Sequence, residues 1–169
     1  MGSGLLHDGV VNHRSRRASA AGPPPYGVLI MTNDSATPDH DGATFWQERR
    51  ICLLATTRPD GSPHLVPVGV TFDPATNIAR VITSAGSAKV RNIKAAAPGA
   101  TVAVSQVDGR RWCTLEGTAE VRTDAESVAE AERRYAERYR APRPNPYRVV
   151  IEITVTRVLG NERPPGFAD

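Results

Sequence analysis

Six stretches of alternating apolar and polar residues run through the chain, and the way they are joined constrains the fold more than any other feature. They are Ile51–Arg58, His64–Phe72, Ile78–Ser84, Ala100–Val107, Arg110–Arg122 and Tyr147–Leu159. Period-two alternation with β-branched residues marks half-buried strands. Several joints leave room only for a direct reversal: Pro59-Asp60-Gly61-Ser62, Asp73-Pro74-Ala75-Thr76-Asn77 and Asp108-Gly109 carry the residue types of tight turns. Helical patterns intervene only after the third strand, over Ser87–Ala97, and after the fifth, where Thr123-Asp-Ala-Glu126 reads as a capping box opening a helix to about Arg140. No βαβ series is present, so a Rossmann domain is excluded. The expected fold is mainly β, a six-stranded antiparallel barrel with peripheral helices.

That domain is expected over residues 44–160, with a short helix over Thr44–Arg50 bringing Phe45 and Trp46 onto the body. The chain has 169 residues, 40% of them hydrophobic, enough for one substantial core. Met1 to about Ala43 lacks periodicity and is rich in Gly, Ser, Pro, His and Asp, so residues 1–43 are expected to be disordered. Residues 161–169 are expected to form a loose tail.

The net charge of +3 is built almost wholly from arginine, the only lysines being Lys89 and Lys94. No stripe of basic and aromatic residues accompanies it, so a small anionic ligand is favoured and nucleic acid is set aside. Cys52 and Cys113 lie far apart in apolar strands without CxxC spacing, which favours buried thiols over a redox or zinc site. His64 is the only histidine outside the first 43 residues, and no metal site is expected. No apolar run approaches the length of a membrane span, and the expectation is a cytoplasmic protein that binds no membrane.

Ile78 to Asn92 reads as strand, small-residue loop and helix start. Ser84, Gly86 and Ser87 offer hydroxyls and unhindered amides where a helix begins, and Lys89 and Arg91 add positive charge. Orphan amides and the macrodipole make such a start suited to a phosphate. The alternative is a serine N-cap followed by solvated basic residues. In the strand before it, Pro67 removes a ladder donor and Gly69 has no side chain, so the strand is bent or exposes backbone to a flat partner. Elsewhere no GxSxG and no triad around His64 appears, and Glu116, Glu120 and Glu152 read as solvated strand-face charges. A phosphate seat without acid-base machinery points to chemistry carried by a cofactor.

Four groups of residues together resemble the pyridoxamine 5′-phosphate oxidase-like split β-barrel family, of the FMN-binding split barrel type, and within it the deazaflavin-dependent branch. They are Leu54-Ala-Thr-Thr-Arg-Pro-Asp-Gly-Ser-Pro-His64 with Val66-Pro67-Val68; Ala79-Arg-Val-Ile-Thr83 with Gly86-Ser87-Ala-Lys89; Ser105-Gln-Val-Asp-Gly-Arg-Arg-Trp112 with Leu115-Glu-Gly117; and Arg138-Tyr-Arg-Ala-Pro-Arg-Pro-Asn-Pro146 with Val149-Val-Ile-Glu152. The resemblance implies a homodimer with cofactor clefts between the barrels. It implies coenzyme F420 as cofactor, with His64, Leu65, Val66, Pro67 and Val68 along the deazaflavin ring. Arg80, Ile82, Thr83, Ser84, Ser87, Lys89 and Asn92 would surround the ribityl chain and phosphate, and Gln106, Arg111 and Trp112 would come from the partner subunit. The third and fourth groups are closest to members acting on a linear tetrapyrrole, which implies hydride transfer to the C10 methine of biliverdin, giving bilirubin. Arg111, Arg143 and Arg148 are candidate contacts for its propionates. The alternatives are an FMN-dependent oxidoreductase on the same fold, and a cofactor or tetrapyrrole carrier without turnover.

Overall fold

The structure, a computed structural model, describes residues 42–167. The disorder expected for residues 1–43 lies outside the described residues, except that Gly42 and Ala43 open the first helix, α1 (Gly42–Phe45). That helix starts two residues before the expected Thr44 and stops at Phe45, and Phe45 and Trp46 are buried as anticipated. The strands are β1 (Cys52–Thr57), β2 (Pro63–Val68), β3 (Thr71–Asp73), β4 (Ile78–Ser84), β5 (Ala100–Asp108), β6 (Arg111–Arg122) and β7 (Arg148–Gly160). Helix α2 (Ala88–Ala95) follows β4 and α3 (Ala125–Arg138) follows β6. The N-cap of α3 is Asp124, not Thr123: its side chain accepts from the Ser127 amide at 2.9 Å, which holds the carboxyl at a pKa of about 2.

The strands form one antiparallel sheet in the order β2-β1-β5-β6-β7-β4-β3. The mainly β barrel class is as expected, but the described residues form seven strands, because His64–Phe72 is not one strand. It breaks at Gly69–Val70 into β2 and β3, which are the two edges of the sheet. Two residues cannot span the width of a flat seven-stranded sheet. The sheet must therefore curl until its edges meet at this crossover, which closes the barrel.

Alternation places the core. Leu54, Val102, Val104, Cys113, Leu115, Ala119, Ile151 and Ile153 point inward and are nearly inaccessible. At the register shift between Glu116 and Gly117, a Cβ on residue 117 would sit 2.0 Å from the Thr154 carbonyl oxygen, so only glycine fits. Helix α3 lies on the outer face of β4 and β7, covering Val150 with Ala131. Both cysteines are free and buried, and burial raises their thiol pKa values, that of Cys113 to about 11.

The crossover is pinned from α3. The Tyr139 hydroxyl accepts from the Val70 amide at 3.1 Å and donates to the Arg50 carbonyl at 2.7 Å. Arg138 donates to the carbonyls of Val70 and Glu48 and to Gln106 Oε1. A Cβ on Gly69 would lie 2.6 Å from the Tyr135 ring, so the bare backbone is what lets the α3 tyrosines reach the barrel edge. Residues 161–167, expected to be loose, are tied down. Asn161 Oδ1 accepts from the Trp112 amide, and the Glu162 side chain is buried against Arg111. No helix among the described residues is long and apolar enough to cross a membrane.

Candidate cofactor cleft

The outer face of β4, the crossover, the end of α3 and the loop after it enclose a cleft of about 670 Å³. That is within the range of small-molecule and cofactor sites. One wall is apolar: Pro67, Val68 and Gly69 from the sheet edge, Ile82 from β4 and the Tyr135 ring. The other is polar and basic: Ser84, Lys89, Arg140, Arg143, Asn145 and Arg148. The second wall exists because Pro142, Pro144 and Pro146 cannot continue α3, and the chain crosses the cleft mouth as an extended loop. Asn145 fastens that loop. Its Nδ2 donates to Ser84 Oγ at 2.8 Å, its Oδ1 accepts from the Tyr147 amide at 2.9 Å, and its carbonyl accepts from the Arg148 amide at 3.1 Å.

Beside Lys89, α2 begins with its donors unused by side chains. Ser87 is the N-cap residue, yet its hydroxyl makes no capping bond to the helix and instead accepts from Thr83 Oγ1 at 3.3 Å. The serine-cap alternative therefore lacks its defining hydrogen bond. Lys89, two residues after the N-cap, is half-buried, and desolvation lowers its ammonium pKa below the usual lysine range. Among the described residues nothing is hydrogen-bonded or ion-paired to it. A desolvated, unpaired cation beside uncapped helix amides is a fit for a phosphate group, and the apolar wall beside it fits a flat ring.

The expected site residues divide into those that line the cleft and those that do not. Pro67, Val68, Ile82, Ser84, Lys89, Arg143 and Arg148 line it; Thr83 and Ser87, next to Ser84 and Lys89 in the chain, are bonded to each other and do not. His64, Leu65 and Val66 lie further along β2 and do not line it in a single protomer. Arg80 lies under α3, where Nε donates to Glu152 at 3.0 Å and Nη1 is buried without a partner. Asn92 is a correction: it is buried, and its Nδ2 donates to Thr56 Oγ1, 2.9 Å away, which in turn bonds His64 Nδ1 at 3.2 Å. That chain of polar groups ties α2 to β1 and β2, and Asn92 lines a separate hollow of about 250 Å³ beside Thr56 rather than the cleft.

Gln106 is the second correction. It is fully buried, with Nε2 donating to the Phe45 carbonyl at 2.7 Å and Oε1 accepting from Arg138, so it does not line the cleft and has no exposed surface to offer a ligand. Arg111 is committed as well, to Glu162 at 2.8 Å and Glu48 at 2.7 Å. Those two carboxylates, led by the Glu162 hydrogen bond, push its pKa well above the ordinary arginine range. Trp112 stands partly exposed on the outer face of β6. Arg148 donates to Glu132 at 2.8 Å and to the Arg143 carbonyl, so it braces the loop and is not a free propionate contact. The reading from sequence missed Tyr135, Arg140 and Asn145. The tyrosine's helical spacing pointed only to core packing, and nothing in the prolyl loop's composition marked Asn145 as its anchor.

The family described as pyridoxamine 5′-phosphate oxidase matches residues 39–161. An F420H2-dependent biliverdin reductase of Mycobacterium tuberculosis (strain CDC 1551 / Oshkosh) is 51% identical over 133 residues, which cover 79% of this chain and 95% of that protein. Among solved structures, one named F420 reductase is 26% identical with a TM-score of 0.58, covering 73% of this chain and 98% of that one. A conserved hypothetical protein of Mycobacterium tuberculosis, 24% identical over 82% of this chain and 93% of its own, shares the fold with a TM-score of 0.62. The match spans the barrel and every element that builds the cleft: the chain belongs to the pyridoxamine 5′-phosphate oxidase family.

Proposed function

We propose that this protein is a coenzyme F420-dependent oxidoreductase acting on biliverdin. The observation that carries the proposal is the unpaired, partly desolvated Lys89 at the uncapped start of α2, facing an apolar wall across a cleft of about 670 Å³. The 51% identity to an F420H2-dependent biliverdin reductase supports both cofactor and substrate class. When bound, the reduced deazaflavin supplies a hydride, and the reaction we assign is its delivery to the C10 methine of biliverdin, giving bilirubin.

The protein's own part is binding and orientation. Lys89, the free amides at the start of α2 and the Thr83–Ser87 hydroxyl pair hold the phosphodiester. Pro67, Val68, Gly69 and Ile82 provide the flat wall for the ring, and the fastened loop around Asn145 limits water at the mouth. Arg111 is no source for the proton that completes the reduction, because Glu162 and Glu48 hold it fully charged. Titrating the protein into coenzyme F420 and following the cofactor's fluorescence tests the assignment. Binding to F420 in preference to FMN is expected, and binding to FMN alone would transfer the reading to a flavin enzyme.

A homodimer is part of the proposal. The outer faces of β2, β1, β5 and β6 are adjacent and carry Leu65 (60% exposed), Leu53 (41%), Val107 (57%) and Trp112 (36%). Val107 and Trp112 are directly opposite in the register. A contiguous exposed apolar face of this kind marks an interface, and the second copy we assign to it would bring Trp112 toward its partner's cleft. Leu65→Asp is expected to shift the protein toward monomer in analytical ultracentrifugation; a wild-type monomer would remove the dimer from the account.

A further inference from the structure

A second, smaller hollow adjoins the cofactor cleft, and the two share Tyr135 and Arg140. Its volume, about 270 Å³, is lined by Arg49, Arg50, Ile51 and Tyr139 besides the shared pair. The volume lies below the range that encloses a whole drug-sized ligand, so the hollow suits one end of a molecule whose remainder lies in the cleft.

Charge gives the hollow its selectivity. Among the described residues neither hollow has an aspartate or glutamate in its lining, whereas Lys89, Arg140, Arg143 and Arg148 line the first and Arg49, Arg50 and Arg140 line the second. Arg148 and Arg50 are occupied, the former by Glu132 and the latter by Glu48 and Asp108. Among the described residues Arg49, Arg140 and Arg143 have no side-chain hydrogen bond or ion pair. The floor is apolar, with the Tyr135 and Tyr139 rings 4.8 Å apart at 30° and Ile51 65% exposed beside them.

We infer that this annex is the substrate's carboxylate subsite, in which Arg49 and Arg140 receive the acidic arms of a conjugated dicarboxylic substrate whose rings cross Tyr135 into the cleft. This rests on the proposed function, which puts the cofactor at the Lys89 end and leaves the Tyr135 end for the substrate. It moves carboxylate recognition away from Arg111 and Arg148, whose guanidinium groups are already bound to glutamates. Planar, forked guanidinium groups without partners recognise carboxylates bidentately, and aromatic floors accept flat conjugated rings.

The test is a binding titration of biliverdin and of its dimethyl ester, read from the pigment's visible absorbance, on wild type, Arg49→Glu, Arg49→Met and Arg140→Glu. Coenzyme F420 affinity is measured in parallel. Each charge reversal is expected to weaken biliverdin binding by about tenfold or more, and Arg49→Met by less, while the ester binds all four proteins within about twofold. Coenzyme F420 affinity should be unchanged in the two Arg49 variants, because Arg49 lines only the annex. Equal losses for biliverdin and its ester, or no loss for either, would overturn the subsite. A loss confined to F420 in the Arg49 variants would also overturn it, assigning the annex to the cofactor's acidic tail. Arginine-dependent biliverdin binding without any F420 binding would support the subsite and sink the cofactor reading instead.

Discussion

Lys89→Ala is expected to weaken coenzyme F420 binding by about 1.5 to 3 kcal/mol, roughly ten- to hundredfold, through loss of a charge-assisted phosphate contact. The magnitude follows from the site: the ammonium is half-buried and unpaired, so its desolvation is already incurred in the free protein. A phosphate then gains the attraction without a competing carboxylate to displace. The same burial makes the affinity depend on pH. Desolvation lowers the free lysine's pKa, and the bound anion raises it again, so between those two values binding takes up a proton and affinity falls as pH rises. The fall should begin below the ordinary lysine range and be absent in Lys89→Ala. The effect on folding has the opposite sign, because the native protein holds fewer protons than the unfolded chain over that window and gains stability as pH rises. Unchanged F420 affinity in Lys89→Ala, measured by fluorescence titration, would remove this residue from the site.

Arg138→Met is expected to lower stability by about 3 kcal/mol, and the midpoint of thermal unfolding by roughly 10 °C. One guanidinium, reaching in from α3, serves the Val70 carbonyl at the crossover, the Glu48 carbonyl ahead of β1 and Gln106 Oε1 in β5. It also lies over the Trp46 and Tyr139 rings, 5.7 and 5.2 Å from their centroids. Methionine would fill most of the space and leave those acceptors short of a donor, among them an amide oxygen on a side chain with no exposure. Arg138→Lys should rescue little, because a single ammonium cannot fork among three separated oxygens. A calorimetric midpoint within a degree or two of wild type would show that Tyr139 and Gly69 hold the crossover without it.

Much of the barrel was legible because alternation is a local property. In the Arg110–Arg122 stretch, Cys113 and Leu115, then Ala119 and Val121, recur at period two, and all four face the core. The break at Gly69 was visible only as a bend. That it marks the meeting of two sheet edges follows from pairing β2 with β1 and β3 with β4, which no window of sequence contains. Ser84 and Lys89, which line the cleft, were readable from helix-start chemistry, whereas Ile82 was pointed to only by the family resemblance.

Gln106 could have been placed correctly from sequence, since it shares parity with Val102 and Val104 in β5; the family resemblance drew it outward against that signal. Arg111 could not. Its commitment depends on Glu48, before β1, and on Glu162, in a tail that composition made look loose. Arginines look alike in sequence, and only the pairing pattern separates Arg111 and Arg148, which hold the protein together, from Arg49, Arg140 and Arg143, which have side chains to offer a ligand.

The measurement that bears most directly on the account is an anaerobic titration. The protein is mixed with reduced coenzyme F420, biliverdin is added, and the deazaflavin absorbance is followed as it recovers. The account predicts recovery in step with bilirubin formation, one cofactor oxidised per pigment reduced, and a marked loss of affinity for the cofactor in Lys89→Ala. Tight binding of reduced F420 with no recovery on adding biliverdin would contradict the reductase assignment and leave a carrier or another acceptor in its place.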